Sequence, residues 1–280
     1  MKKIKHLFNK YKQKISDKTY NINGYKVDKF IIDGLINFGF KVEKDNLIVT
    51  SPSNLKLRLD FQPYVLFESF TSKDYEFFSN DDDSILIDIG MNAGFISLQF
   101  AQKENIKKVY AFEPFLPTYN GALKNIELNK EIADKIETFP YGLSNKNAKM
   151  ELLYEKGLAG NMSIVKNLYD NSNPVFDTDN ANIETIEIKD ASEVLGPILE
   201  RNKDKKILLK CDTEGSEFEI IESLDNSKLL QEVDIILVEY HFKSPKIIET
   251  ILTKNNFVVF YKNGYDPETK CGMIYAVKND

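Results

Sequence analysis

From residue 85 onward the chain alternates short β-branched runs with amphipathic stretches, and this rhythm constrains the fold more than any single residue does. Ile85 to Ile89 reads as a strand, followed by a glycine turn and an apolar helix through Phe95, Leu98 and Ala101. Lys108 to Phe112 reads as a second strand ending in Glu113-Pro114, and Pro117 then suits the first turn of a helix with Tyr119, Leu123 and Ile126 on one face. A third strand is expected within Ile136 to Leu143. Ile207 to Cys211 makes a fourth, followed by a helix from Glu217 to Leu224, and Asp234 to Tyr240 a fifth, with a helix starting at Ser244-Pro245. Strands separated by helices imply an α/β chain with a mostly parallel sheet covered on both faces. The rhythm breaks at the end. Phe257 to Tyr261 and Met273 to Val277 are joined by a loop too short for a crossover helix, so the last strand should run antiparallel.

The flanks are less regular. Residues 1–84 are expected to form an extension packed on a main domain of residues 85–280: a basic helix, a β-hairpin from the runs Leu47 to Val49 and Leu55 to Phe61, and a helix in the aromatic stretch Tyr64 to Phe78. The first 18 residues carry seven lysines against Asp17 in a chain whose net charge is −6. With Ile4, Leu7, Phe8, Tyr11 and Ile15 at helical spacing, that segment suits contact with an anionic membrane surface or a partner protein, or simple capping of the domain. Residues 145–182, rich in Asn and Asp and holding Gly157, Gly160 and Pro174, read as a loop-rich insertion that lines a substrate pocket. The acidic balance argues against nucleic acid as a partner and favours a small-molecule or glycan acceptor. Two cysteines without paired spacing exclude a disulfide framework and a structural zinc site of the usual spacing. No run approaches the roughly 20 apolar residues of a membrane span, and the start lacks the pattern of a secretion signal, so a cytoplasmic location is expected.

The turn Asp88-Ile89-Gly90-Met91-Asn92-Ala93-Gly94 joins a strand to a helix, where the backbone can approach a ligand and free N–H groups face it. A dinucleotide site would show G-x-G-x-x-G; here the glycines are Gly90 and Gly94, with Asn92 between them and Asp88 before them. That arrangement suits a ligand with an amino-acid tail, whose ammonium Asp88 can meet directly or through water. Glu113, at the end of the second strand, is placed to accept hydrogen bonds from ribose hydroxyls.

The runs I-D-I-G-M-N-A-G-F, V-Y-A-F-E-P, L-K-C-D-T-E-G-S-E and V-E-Y-H resemble the FkbM-type methyltransferases, over about residues 85 to 260 and more weakly at Asp74-Tyr75-Glu76. The resemblance implies a class I, Rossmann-like methyltransferase fold, a mostly parallel seven-stranded sheet with an antiparallel last strand. It also implies S-adenosylmethionine as cofactor and methyl transfer to a hydroxyl of a sugar, glycan or similar small molecule. Carried across, Asp88, Gly90, Asn92 and Gly94 would line the methionine end and Glu113 the ribose. Met91 and Cys211-Asp212-Thr213 depart from the family's usual residues.

On the acceptor side, Lys210, Asp212, Glu214 and Glu217 gather at the end of the fourth strand, and Glu239 and His241 at the end of the fifth. A hydroxyl is a poor nucleophile toward a sulfonium methyl group without a base or a divalent cation. His241 is the expected base, with Asp212, Lys210 and Glu239 as the other groups acting on the acceptor. The alternative is that Asp212, Glu239 and His241 hold Mg2+ or Mn2+. Two other functions fit the sequence less well: a nicotinamide-dependent oxidoreductase, which lacks its third glycine, and a non-catalytic partner subunit, against which the intact Asp88 and Glu113 set argues.

Overall fold

The structure, a computed structural model, describes residues 19–43, 45–76, 83–154, 182–262 and 271–279. The expected basic helix of residues 1–18 and most of the 145–182 insertion lie outside the described residues. The chain divides into two compact units, Met1–Lys73 and Asp74–Asp280.

In the first unit, β1 (Thr19–Ile22) and β2 (Tyr25–Asp28) form an antiparallel hairpin, and the Asp28 side chain accepts from the Phe30 N–H to start α1 (Lys29–Asn37). A second hairpin, β3 (Ile48–Thr50) with β4 (Lys56–Arg58), falls where the runs around Leu47 and Leu55 placed one. The helix α2 (Pro63–Thr71) starts at a proline, which loses no intrahelical hydrogen bond there. Leu35, Leu55, Leu57 and Leu66 are fully buried, and Phe40 meets Phe70 edge to face at 5.0 Å.

The second unit is built on a seven-stranded sheet. Its elements in chain order are β5 (Ser84–Ile89), α3 (Phe95–Ala101), β6 (Ile106–Phe112), α4 (Leu116–Glu127), α5 (Lys130–Ala133), β7 (Ile136–Phe139), β8 (Gly142–Ser144), β9 (Ala148–Tyr154) and β10 (Asn182–Asp190). There follow α6 (Ala191–Arg201), β11 (Lys206–Cys211), α7 (Glu217–Asn226), β12 (Ile235–His241), α8 (Lys246–Lys254), β13 (Phe257–Tyr261) and β14 (Cys271–Lys278). The main sheet runs β13-β14-β12-β11-β5-β6-β7. The strands from β12 to β7 are parallel, and β14 is antiparallel to both β12 and β13, as the short final connection requires.

All six residues of β5 are buried, as befits a central strand covered on both faces. The core beneath the sheet holds Ile87, Phe112, Leu209, Phe218, Ile221, Val238 and Ile274. The third strand, β7, falls within Ile136 to Leu143 as expected and stops at Phe139, before Pro140, which has no N–H for a ladder; β8 then starts a separate sheet of order β8-β10-β9. One expectation needed correction. Residues 148–154 are not loop but strand, paired antiparallel with β10 from Ala148↔Ile188 to Tyr154↔Asn182.

Candidate active site

The carboxyl ends of β5, β6, β11 and β12 meet at one edge of the sheet, where an open α/β fold binds its ligands. A cleft open to solvent lies there. Gly90, Asn92 and Glu113 line it on one side, Asp212, Thr213, Glu214 and Ser216 on another, and Pro114, Phe115, Leu143 and Ile188 give it an apolar wall.

The loop after β5 is built around Gly90. Its φ is +82°, and a Cβ there would lie 1.7 Å from the Asp212 carbonyl oxygen. The close approach is fixed from both sides: the Asp212 N–H donates to the Ile89 carbonyl at 3.0 Å, and the Gly90 and Met91 N–H groups donate to that of Phe112 at 3.1 and 2.8 Å. Gly94, with φ +79°, then caps the start of α3.

Asp88 is fully buried beneath this loop, not in the wall of the cleft. The Ser97 hydroxyl donates to its Oδ2 at 2.5 Å, and the Lys210 ammonium stands 3.0 Å from its Oδ1. Lys210 also donates to the Gly90 carbonyl at 2.5 Å and lies 3.8 Å from Asp212. Burial works to lower the Lys210 pKa, but Asp88 and Asp212 outweigh it and hold it above the ordinary value, so the ammonium persists. The pair therefore clamps the turn from below, and Asp88, expected to meet a ligand ammonium directly or through water, meets Lys210 and Ser97.

Glu113 does line the cleft. Its Oε2 accepts from the Asn92 N–H at 3.0 Å and its Oε1 from the Phe115 N–H at 2.9 Å, which joins the glycine loop to the start of α4. Burial pushes its pKa from 4.5 up to about 7, against the pull of those two N–H groups and Lys210. Two more polar atoms of the cleft lining, Asn92 Oδ1 and Ser216 Oγ, are buried with no hydrogen-bond partner. Buried polar atoms without partners are costly and mark where a ligand's polar groups fit.

On the other side of the cleft the expected groups converge, in an arrangement the sequence did not show. Tyr75, whose weak motif gave no role, donates its hydroxyl to Asp212 Oδ2 at 3.1 Å and stands 3.4 Å from Glu239 Oε2. Burial and then the two carboxylates push its pKa well up, so the proton stays on the phenol. Asp74 anchors this segment through Lys262, and its carbonyl accepts from the Tyr275 hydroxyl at 2.9 Å. Tyr75→Phe is expected to cost about 1 kcal/mol in urea unfolding at pH 7, because two carboxylates lose their shared donor. An unchanged midpoint would show that the bridge contributes nothing.

His241 is buried and absent from the cleft lining. Its Nδ1 pairs with Glu217 Oε1 at 3.1 Å, and its Nε2 faces Glu214 at 3.6 Å and Glu239 at 3.9 Å. Burial favours the neutral ring, yet Glu214, Cys271 and Glu217 outweigh it and raise the pKa well above 6.5. This differs from the expected base, chosen because an unperturbed histidine titrates near operating pH. Glu217 takes N–H donors from Thr213 at 2.9 Å and Gly215 at 3.1 Å, which organises the turn where Glu214 has φ +55° and Gly215 +129°. Burial pushes its pKa up, but the His241 pairing and these N–H groups bring it below the ordinary value. The potential metal ligands are redistributed: Glu239, His241 and Cys271 form one group with ligand atoms within 4.8 Å of one another, and Asp212, Glu217 and His241 another.

Sheet order, glycine loop and a carboxylate at the end of β6 define a class I methyltransferase fold. A family model described as the methyltransferase FkbM domain matches residues 88–259. The chain belongs to the FkbM methyltransferase family. It is 26% identical over 251 residues to "Methyltransferase 1" of Beauveria bassiana, covering 84% of this chain and 96% of that protein. It is 25% identical over 257 residues to methyltransferase sdnD of Sordaria araneosa, covering 85% and 96% respectively. Among solved structures it is similar to a methyltransferase FkbM from Methylobacillus flagellatus, with a TM-score of 0.47 and 12% identity; the match covers 77% of this chain and 53% of that one. Among the described residues, no helix is long and apolar enough to cross a membrane.

Proposed function

We propose that this methyltransferase uses S-adenosylmethionine to methylate a hydroxyl group of a sugar, glycan or other small molecule. The observation that carries the donor half is the Glu113 carboxylate in a cleft that also presents the unpartnered Asn92 Oδ1 and Ser216 Oγ beside an apolar wall. An adenosine has matching parts: two vicinal hydroxyls for Glu113 and a flat apolar face for Leu143, Ile188 and Phe115. The amino-acid tail would meet Gly90 and Asn92, while Asp88, Lys210 and Gly94 hold the loop in shape. The bound cofactor supplies an electrophilic methyl group.

On the acceptor side, Asp212 borders the cleft, and Tyr75 orients one of its oxygens, leaving the other to take a hydroxyl proton. We assign it the base role because His241 is buried, outside the cleft lining, with Nδ1 held by Glu217. Glu239 shares the Tyr75 hydroxyl and shapes the acceptor's surroundings. Lys210 stays beneath the loop and holds Asp88 and Gly90. Much of the rate would come from positioning the two substrates in line.

Calorimetry with S-adenosylhomocysteine tests the donor half. Glu113→Gln is expected to weaken binding about a hundredfold, or about 3 kcal/mol for two hydrogen bonds to a charged acceptor. The sign with pH follows from the raised carboxyl pKa. The fold loses stability as pH rises from 4.5 to about 7, because Glu113 keeps its proton in the folded protein while the unfolded chain gives it up. Ribose hydroxyls donate to the ionised form, so binding should tighten across that window and release protons near pH 7. Affinity flat from pH 6 to 8, or indifferent to Glu113→Gln, would remove Glu113 from the ribose.

A further inference from the structure

We infer that Glu239, His241 and Cys271 form a binding site for a divalent metal ion of the zinc type. The site follows from strand geometry. Glu239 and His241 are two residues apart on β12 and therefore share a face of the sheet, and Cys271 of β14 lies directly opposite His241 in the antiparallel register.

The separations point to an ion. Cys271 Sγ lies 3.8 Å and His241 Nε2 3.9 Å from Glu239 Oε1, and the three ligand atoms fall within 4.8 Å of one another. Bond lengths of about 2.0 to 2.3 Å to a tetrahedral centre would set such atoms roughly 3.3 to 3.6 Å apart, so the two Glu239 contacts must shorten by about 0.3 to 0.6 Å and Cys271 and His241 draw to about 3.6 Å to close the set. The orientation is fixed as well. Glu217, itself held by backbone N–H groups, binds His241 Nδ1 and leaves Nε2 directed at Glu239 and Cys271, the carboxylate–histidine arrangement that supports metal ligation. Glu214, 3.6 Å from Nε2, faces the same point from the cleft side.

Thiolate and imidazole select Zn2+, or Co2+ as its spectroscopic substitute, over the Mg2+ and Mn2+ that an all-oxygen set would hold. Three protein ligands leave a fourth position for water. The site does not depend on the donor reading, because its residues are separate from Glu113 and Asn92.

Titrating the full-length, metal-stripped protein with Co2+ and recording its absorption spectrum tests it. The expected result is one equivalent bound, with tetrahedral visible bands and a near-ultraviolet thiolate charge-transfer band. In Cys271→Ser the charge-transfer band should vanish and affinity fall at least tenfold. In His241→Gln, which can keep a hydrogen bond to Glu217, stoichiometric binding should be lost. Absence of binding, a wild-type spectrum without the thiolate band, or a band that survives in Cys271→Ser and so comes from Cys211, would overturn the assignment. S-adenosylhomocysteine calorimetry on the same samples reports the donor site separately.

Discussion

Lys210→Met is expected to destabilise the protein by about 3–5 kcal/mol, the cost of leaving one member of a buried ion pair alone. Asp88 and Lys210 are both almost wholly excluded from solvent, at 0% and 2% exposure, and their charged atoms are 3.0 Å apart. Methionine fills much of the lysine's volume, so the loss is mainly electrostatic: Asp88 keeps one hydroxyl donor, Ser97, and loses its counter-charge. The Gly90 carbonyl loses its ammonium donor in the same step. Asp88→Asn combined with Lys210→Met should recover a large part of the loss, since the isolated charge is then gone. Urea unfolding of the two variants decides the matter. A loss below about 1 kcal/mol in the single variant, or a double variant no better, would mean the pair does not clamp the turn.

Gly90→Ala should be at least as severe locally, with a loss of about 3 kcal/mol or more, because its clash is between two backbones. The added Cβ would sit 1.7 Å from the Asp212 carbonyl oxygen and 2.8 Å from its carbon, at a φ of +82°. No rotamer relieves that contact; β5 and β11 must part at their ends, where they hold both halves of the cleft. Binding of S-adenosylhomocysteine should fall more than tenfold in whatever fraction folds. Gly94→Ala is the control: its φ is +79°, but the nearest atom to the new Cβ is Ala122 Cβ at 3.4 Å, so only about 1–2 kcal/mol of backbone strain is expected. Thermal melting compares them directly, and equal midpoints would contradict the reading of Gly90.

The parts of the fold legible in the sequence are those where one force dominates. β5, β6, β11 and β12 are covered on both faces, so continuous apolar runs announce them, and the short connection before β14 leaves it only the antiparallel direction. The β8-β10-β9 sheet was hidden for a different reason. β8 is three residues long, Gly-Leu-Ser, and follows β7 after only Pro140-Tyr141, too short a run to announce a strand of its own. The alternation in Ile183-Glu184-Thr185-Ile186-Glu187-Ile188 did carry a strand signal, with Ile186 and Ile188 buried, beside a stretch whose Asn and Asp content suggested only loop. At the site, residue types were legible but partnerships were not. Sequence order could place Glu217, His241 and Cys271 on separate elements; it could not show that they touch, nor that Tyr75 reaches Asp212 across 137 positions.

The strand β10 has a consequence for how this protein could be diversified. Its far end, at Asn182, continues the segment of residues 155–181, while Ile188 near its other end lies in the apolar wall beside Glu113. A ladder of seven residue pairs with β9 separates the two. Changes in length or composition grafted between Tyr154 and Asn182 thus enter the chain about six residues away from the wall, buffered by backbone hydrogen bonds that do not depend on side-chain identity. Variation can accumulate at that junction while the apolar wall of the cleft keeps its shape, which makes it the natural place to recombine segments from relatives.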